Sequence, residues 1–212
     1  FLLADDQRLD AARCMPKVHD LIGAKGVTFD RNFASTPLCC PGRSTILTGL
    51  YAHNHGVIMN GDIEDEGEPD DEAVPGAVAF REKGNEERVF ARWLQEAGYR
   101  TGYYGKYLNG YGKILKKESA YVPPHWDAWH AFKEPEYYDY QLLEKDGSGP
   151  AKSTCYLTNR KGVPRGKKAE VACRKDASAV VEGREHYSTD VLADKAIEFI
   201  RASAKEGKPF FV

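Results

Sequence analysis

Short apolar runs alternate with periodic stretches at both ends of the chain. Leu2-Leu3-Ala4 is a compact apolar run followed by Asp5-Asp6, which reads as a buried strand ending in a polar turn. Arg13 to Lys25 carries a helical pattern, with Pro16 in a first turn and Gly26 as its stop. Val27-Thr28-Phe29 predicts a short strand. Pro41 to Thr48 predicts a helix with Pro41 in its first turn and Gly49 at its end.

Asp62 to Glu82 is acidic and rich in Gly and Pro, the composition of a long loop. Asn85 is a candidate cap for an amphipathic helix from Glu86 to Ala97, with Val89, Phe90, Trp93, Leu94 and Ala97 on one face and Gly98 as its stop. Arg100 to Tyr104 predicts the next strand. Asn109 to Glu185 is rich in Tyr and Lys with few periodic runs and reads as loops and insertions, residues 138–185 above all. Ser188 or Thr189 caps a last helix carrying Leu192, Ala196, Phe199 and Ile200. It ends near Gly207, and Phe210-Phe211-Val212 begins a strand.

This alternation predicts an α/β fold with a mainly parallel central sheet flanked by helices, in one domain over residues 1–212. Ligands of such sheets sit at the carboxyl ends of the strands. Asp5-Asp6 and Gly105-Lys106 both fall at predicted strand ends. The chain opens and closes on apolar runs, so it is expected to be a piece cut from a longer domain. The lack of a leader then says nothing about export.

Composition narrows the class. The chain has 212 residues, 42% hydrophobic and 29% charged, with a formal net charge of −2, as in an ordinary globular domain. That balance calls for neither nucleic acid nor an anionic membrane as partner, and no apolar run approaches the roughly 18–20 residues of a membrane span. Cys155 and Cys173 flank a polar, basic stretch from Tyr156 to Val171. Two readings stand: a surface loop closed by a disulfide in an oxidising compartment, or two unpaired thiols. Cys14 reads as a small buried apolar residue.

Three stretches carry candidate chemistry. In Cys39-Cys40-Pro41-Gly42-Arg43-Ser44-Thr45-Ile46-Leu47-Thr48-Gly49, Cys39 stands just before a predicted helix N-terminus, where free N–H groups and the dipole favour anions and activate a nucleophile. Arg43, one turn in, offers a planar cation suited to an oxyanion. A buried cysteine pair beside a surface Arg is the plain alternative. Asp5-Asp6 is a carboxylate pair able to share a hard divalent cation, or simply to solvate a turn. Lys106 closes Gly98-Tyr99-Arg100-Thr101-Gly102-Tyr103-Tyr104-Gly105-Lys106 at a strand end.

The Cys39 segment resembles the sulfatase signature Cys-x-Pro-Ser-Arg followed by Leu-Thr-Gly. Gly42 stands where the family has Ser or Ala, and Cys40 occupies the variable position. The stretch ending at Lys106 resembles the second signature of the family. The resemblance implies an alkaline phosphatase/sulfatase-like fold and hydrolysis of sulfate esters. It implies that Cys39 is oxidised to formylglycine by a maturation enzyme that reads Pro41 and Arg43. It further implies that Asp5, Asp6 and residue 39 bind Ca²⁺, and that Arg43 and Lys106 balance charge on the sulfate. Many members carry a His shortly after this Lys, but Tyr107-Leu108-Asn109 follows here, so only Asn109 is offered as a pocket contact.

Tyr121-Val122-Pro123-Pro124-His125-Trp126-Asp127-Ala128-Trp129, with Gly105 to Tyr111, resembles the glucosamine-6-sulfatase branch. This makes His125 and Trp126 candidate substrate contacts, against a packed aromatic loop as the alternative. The implied substrate is a sulfated sugar such as an N-acetylglucosamine-6-sulfate unit, or an aryl sulfate. The implied location is extracellular, periplasmic or lysosomal. Further metal ligands are expected beyond Val212, leaving this piece catalytically incomplete. The alternatives to a sulfatase are a phosphonate or phosphate ester hydrolase of the same superfamily, or a non-catalytic binding protein. His53 and His55 could line the pocket mouth or be structural, and His19, His130 and His186 read as surface or packing residues.

Overall fold

The computed structural model describes residues 1–61, 74–158, 173–174, 177–183 and 186–212. Its centre is a six-stranded sheet in the order β5-β4-β3-β2-β1-β6. The strands are β1 (Arg100–Gly105), β2 (Ala128–Phe132), β3 (Tyr140–Asp146), β4 (Lys152–Thr158), β5 (Ala179–Gly183) and β6 (Phe210–Phe211). β1 runs parallel to β2 and β6, and β4 to β5. β2–β3 and β3–β4 are antiparallel. The fold is therefore α/β as expected, with a mixed sheet whose parallel pairs outnumber the antiparallel ones by one.

Two layers of helix cover the sheet. On one face lie α2 (Cys39–Thr48), α3 (Ala52–His55), α4 (Gly76–Glu82), α5 (Phe90–Glu96) and α6 (Tyr111–Lys117). Leu47, Phe80, Ala91, Tyr107, Tyr111 and Ile114 bury there with Trp129, Ala131 and Leu143 of the sheet. On the other face α7 (Ser188–Lys205) lays Val191 and Leu192 against Phe132, Tyr140, Leu142 and Tyr156. Alternate strand residues thus enter opposite cores: Trp129 and Ala131 one, Phe132 the other. Each large side chain so buried contributes about 1.5–3 kcal/mol.

The expected helix at Pro41 forms and begins two residues earlier, at Cys39, with Gly49 closing it. Pro41 is tolerated because a first-turn N–H has no partner within the helix. The last helix and the strand at Phe210 also form, but the helix starts at Ser188 itself, with Tyr187 in the cap position and no side-chain cap bond from Ser188 or Thr189.

Several local expectations are corrected. Residues 109–185 are not merely loops and insertions: they hold α6 and four of the six strands, three of them within 138–185. β2 is buried at every position, so it lacks the alternation that marks a half-exposed strand. The turn after β3 begins at Asp146-Gly147, a hairpin signal in plain view. Within the acidic stretch from Asp62 to Glu82, residues 62–73 lie outside the described residues and Gly76–Glu82 is helical.

Leu2-Leu3-Ala4 and Val27-Thr28-Phe29 form no strand and are exposed. Among the described residues, Phe1 N donates to Val212 O (2.8 Å) and Phe1 stacks on Phe211, which sets the first run beside β6 without a ladder. Asp5-Asp6 therefore sit on irregular chain rather than at a strand end.

The expected helix from Arg13 to Lys25 is α1 (Pro16–Leu21) flanked by 3₁₀ turns at Leu9–Cys14 and Gly23–Lys25. Met15 precedes a proline, which disfavours the helical conformation there. The expected helix from Glu86 to Ala97 is split at extended Val89. Asn85 donates to His55 O (2.8 Å) instead of capping, and Glu86 accepts from Tyr121 OH; these tertiary bonds hold Asn85–Arg88 as a 3₁₀ turn. Trp93, assigned to the buried face, is exposed, and so is Cys14.

Cys155 and Cys173 form a disulfide with Cα atoms 5.4 Å apart, as the first of the two readings has it. Tyr156 to Thr158 are buried in β4, and residues 159–172 of the bridged stretch lie outside the described residues.

Candidate active site

Cys39 is the first residue of α2. The residue before it, Leu38, supplies no side-chain cap, so the first N–H groups of the helix look outside it for partners. Cys40 N–H finds Asn60 Oδ1 at 2.9 Å. Lys106 follows Gly105, the last residue of β1, at the carboxyl edge where α/β sheets bind ligands. Its Nζ donates to Cys39 Sγ at 3.2 Å and to Asp5 Oδ2 at 2.8 Å.

Arg43 comes up from the first turns of α2 with its side chain only 9% exposed. One guanidinium nitrogen donates to Asp5 Oδ1 (2.9 Å) and the other to Lys106 O (2.6 Å). Tyr103 OH donates to the same carbonyl (2.7 Å). Arg43 therefore ties the helix that carries Cys39 to the strand end that carries Lys106, and both cations converge on one carboxylate. Asp6 completes the cluster: ligand atoms of Asp5, Asp6 and Cys39 all lie within 4.8 Å of one another.

The electrostatics are mutually reinforcing. Partial burial would raise the pKa of Asp5, but the hydrogen bonds and charges of Lys106 and Arg43 outweigh it and hold the carboxyl below its usual range. Burial works against the charge on Lys106 and Arg43 as well. For Lys106, bonds to Asp5 and Cys39 win and raise its pKa. For Arg43, Tyr103 and Asp5 do the same. Burial pushes the Tyr103 phenol up to about 12, so it stays a neutral donor. The result is two fixed cations and ionised carboxylate around one thiol, a setting for a tetrahedral oxyanion and a hard metal ion.

The other expected contacts lie elsewhere. Asn109 reaches the neighbouring cysteine: its N–H donates to Cys40 Sγ at 2.9 Å. His125 and Trp126 are at the other end of the sheet. Thr101 Oγ1 donates to His125 O and Thr101 N–H to Asp127 Oδ2, which puts residues 125–127 beside the start of β1. Lys106 follows its far end, about 16 Å along a strand rising about 3.3 Å per residue. Trp126 is buried against Phe90, Tyr103 and Trp129, and His125 faces Glu87, so the packed aromatic loop is the reading the geometry favours. His55 is buried, accepts from Val57 N–H and pairs with Thr45 Oγ1, a structural role. Asn60 and Tyr103 at the site escaped the sequence reading, since nothing local marks a lone Asn or Tyr as a tertiary hydrogen-bond partner.

Fold and site together define an α/β protein that holds a thiol among cations and carboxylates at the carboxyl edge of its sheet. Residues 6–212 match the family model described as Sulfatase, and the chain belongs to the sulfatase family. It is 40% identical over 170 residues to an extracellular sulfatase Sulf-1 homolog of Caenorhabditis elegans, covering 76% of this chain and 21% of that protein. It is 32% identical over 218 residues to the N-acetylglucosamine-6-sulfatase of Homo sapiens, covering 100% of this chain and 32% of that protein. It is also 28% identical over 203 residues to an arylsulfatase of Volvox carteri, covering 94% and 24%. The chain spans 21%, 11% and 32% of the length of the first three curated relatives it matches. No solved structure matches it. No helix among the described residues is long and apolar enough to cross a membrane.

Proposed function

We propose that the protein hydrolyses sulfate esters, with residue 39 as the nucleophile after oxidation of Cys39 to formylglycine. The observation that carries this reading is the convergence of Lys106 Nζ and the Arg43 guanidinium on Asp5, with Lys106 Nζ also donating to Cys39 at the start of α2, in a chain of the sulfatase family. When formed, the hydrated aldehyde supplies an oxygen nucleophile at the position now held by Sγ. Lys106 donates toward that atom, and in this reading it binds an oxygen of an arriving sulfate. Arg43, anchored to Asp5 and to Lys106 O, keeps both cations in register as charge builds on the sulfate oxygens. Pro41 and Arg43 are buried, so a maturation enzyme that reads them meets the chain before this part has folded.

The donor set fits Ca²⁺. Asp5 and Asp6 offer hard carboxylate oxygens beside residue 39. Ca²⁺ takes about six to eight oxygens, so two carboxylates supply part of the shell, and substrate, water and other groups the rest. The ion would add Lewis-acid stabilisation of the sulfate oxygens.

The substrate we propose is a sulfated sugar of the N-acetylglucosamine-6-sulfate type, supported by the names of relatives that align with the whole chain. The disulfide and the extracellular description of a relative support an exported protein. The test is to co-express the full-length protein with a formylglycine-generating enzyme, verify residue 39 by peptide mass spectrometry, and assay aryl sulfate, aryl phosphate and N-acetylglucosamine-6-sulfate. Sulfate release is expected to dominate. Phosphate release alone, or no turnover by verified formylglycine protein, would overturn the reading.

A further inference from the structure

Cys40 is 0% exposed, although it holds the variable position of the motif. Its surroundings are built from two Asn-Gly pairs of the chain, Asn60-Gly61 and Asn109-Gly110. Asn60 Oδ1 accepts the Cys40 N–H (2.9 Å), and Cys40 Sγ accepts the Asn109 N–H (2.9 Å). The backbone carbonyls of the same two asparagines receive the first N–H groups of α4: Gly76 N–H to Asn60 O at 2.8 Å, and Ala77 N–H to Asn109 O at 2.9 Å. Orphan donors at the starts of two helices are thus satisfied by one pair of residues.

Packing closes the arrangement. Both glycines have left-handed φ, 68° at Gly61 and 81° at Gly110. A Cβ at Gly61 would collide with Val74 O and Pro75, and one at Gly110 with Pro75. A Cβ at Gly76 would collide with Cys40 Sγ. Only Gly fits these three places, two by backbone conformation and all three by space.

We infer that Cys40, Asn60 and Asn109 form a clamp that sets the distance between Cys39 and Lys106. Cys40 is the neighbour of the nucleophile, and Asn109 lies three residues after Lys106. The Asn109 N–H···Sγ bond is therefore a direct strut between the two sides of the site, alongside the Arg43 bond to Lys106 O. Cys40 and the asparagines are positioning residues, acting through Cys39 and Lys106. The inference deepens the proposed function and rests on it only for the turnover measurement below.

The decisive experiment keeps residue 39 as cysteine, by expressing the full-length protein without a maturation enzyme, and follows iodoacetamide alkylation of Cys39 by fragment mass spectrometry, separately from exposed Cys14. A cation beside a thiol speeds its reaction, so Lys106→Met is expected to slow alkylation about tenfold. In a Cys40→Ala background the same substitution should slow it less than about threefold, because the two groups are no longer held together. Cys40→Ser keeps an acceptor for the Asn109 N–H and should restore most of the tenfold dependence. Asn60→Ala removes only the acceptor of Cys40 N–H and leaves the carbonyl on α4. It should reduce the Lys106 dependence too, and it decides the matter if Cys40→Ala fails to fold.

Leu142→Ala, in the core against α7, should lower the melting temperature and leave the Lys106 dependence unchanged. In matured protein, Cys40→Ala should lower kcat about tenfold with KM nearly unchanged. A full tenfold dependence on Lys106 in Cys40→Ala or Asn60→Ala, or none in the wild type, would overturn the clamp. Absence of sulfate release by the matured wild type would count against the proposed function instead, and the alkylation rates would still decide the clamp.

Discussion

Replacing Lys106 by Met deletes the ammonium and keeps an unbranched stem of similar length. Nζ lies 3.2 Å from Cys39 Sγ and 2.8 Å from Asp5 Oδ2, and the side chain is 17% exposed. At an effective dielectric of about 20, unit charges about 3.2 Å apart interact by about 5 kcal/mol, a ceiling that solvent at the open side lowers. Loss of one preorganised donor to a developing oxyanion costs about 2.7–4 kcal/mol, or about 10²–10³ in kcat. Folding stability should respond far less. Asp5 keeps its bond to Arg43, and its own side chain is 37% exposed, so the lost ion pair costs about 1 kcal/mol at most. For a chain of this size that is a melting shift of about 2–4 °C. The assay is steady-state release of sulfate from an aryl sulfate by variant and wild type, each verified for formylglycine at residue 39. A kcat within about threefold of wild type would refute the reasoning that Lys106 stabilises charge at the sulfate.

Three other variants probe the frame around the site. Cys155→Ala with Cys173→Ala opens a loop with a sequence separation of 18; loop-closure entropy puts the loss at about 3 kcal/mol, and a melting temperature that does not fall, in the variant or under reductant, would contradict it. Burial alone would raise the pKa of Glu144, but hydrogen bonds from His130, Thr154 and Lys195 and the Lys195 charge lower it to about 2 from 4.5. Its stabilisation is therefore complete above the unfolded value and lost as pH falls toward about 2, by about 2 kcal/mol between pH 6 and pH 3; Glu144→Gln should flatten that stretch of the denaturation profile, and an unchanged slope would refute the assignment. Trp126→Phe should cost about 1–2 kcal/mol of stability and leave KM for a sulfated sugar within about twofold, whereas a tenfold rise in KM would return Trp126 to the binding site.

The sequence by itself named the groups that meet at the candidate site and much of the frame. Cys39, Pro41 and Arg43 lie within one helical turn and a half, so their pattern survives whatever the rest of the chain does. The α/β class was legible from the helices at Pro41 and Ser188 and the strands at Arg100 and Phe210, because strand and helix periods differ, although the two apolar runs read as strands at the front form none. The disulfide was half-legible, since two cysteines around a polar stretch suit a bridge but do not demand one.

Only the tertiary structure decided the remainder. β2 to β4 were hidden because stretches covered on both faces lose alternation, and β5, an exposed strand at the sheet edge, falls in the stretch read as loops; the antiparallel pairs could not be anticipated without them. Trp126 and His125 sit in a motif-like stretch, yet the register of β2 against β1 puts them at the end of the sheet opposite Lys106. Asn85 was spent on His55 O instead of a helix cap. Cys40 stood at a position the motif leaves open, and its constraint comes from Gly76, Asn60 and Asn109, at least 20 residues away along the chain. Local patterns record which groups are present; the distances that make a site of them depend on chain segments that meet only after the sheet has closed its register.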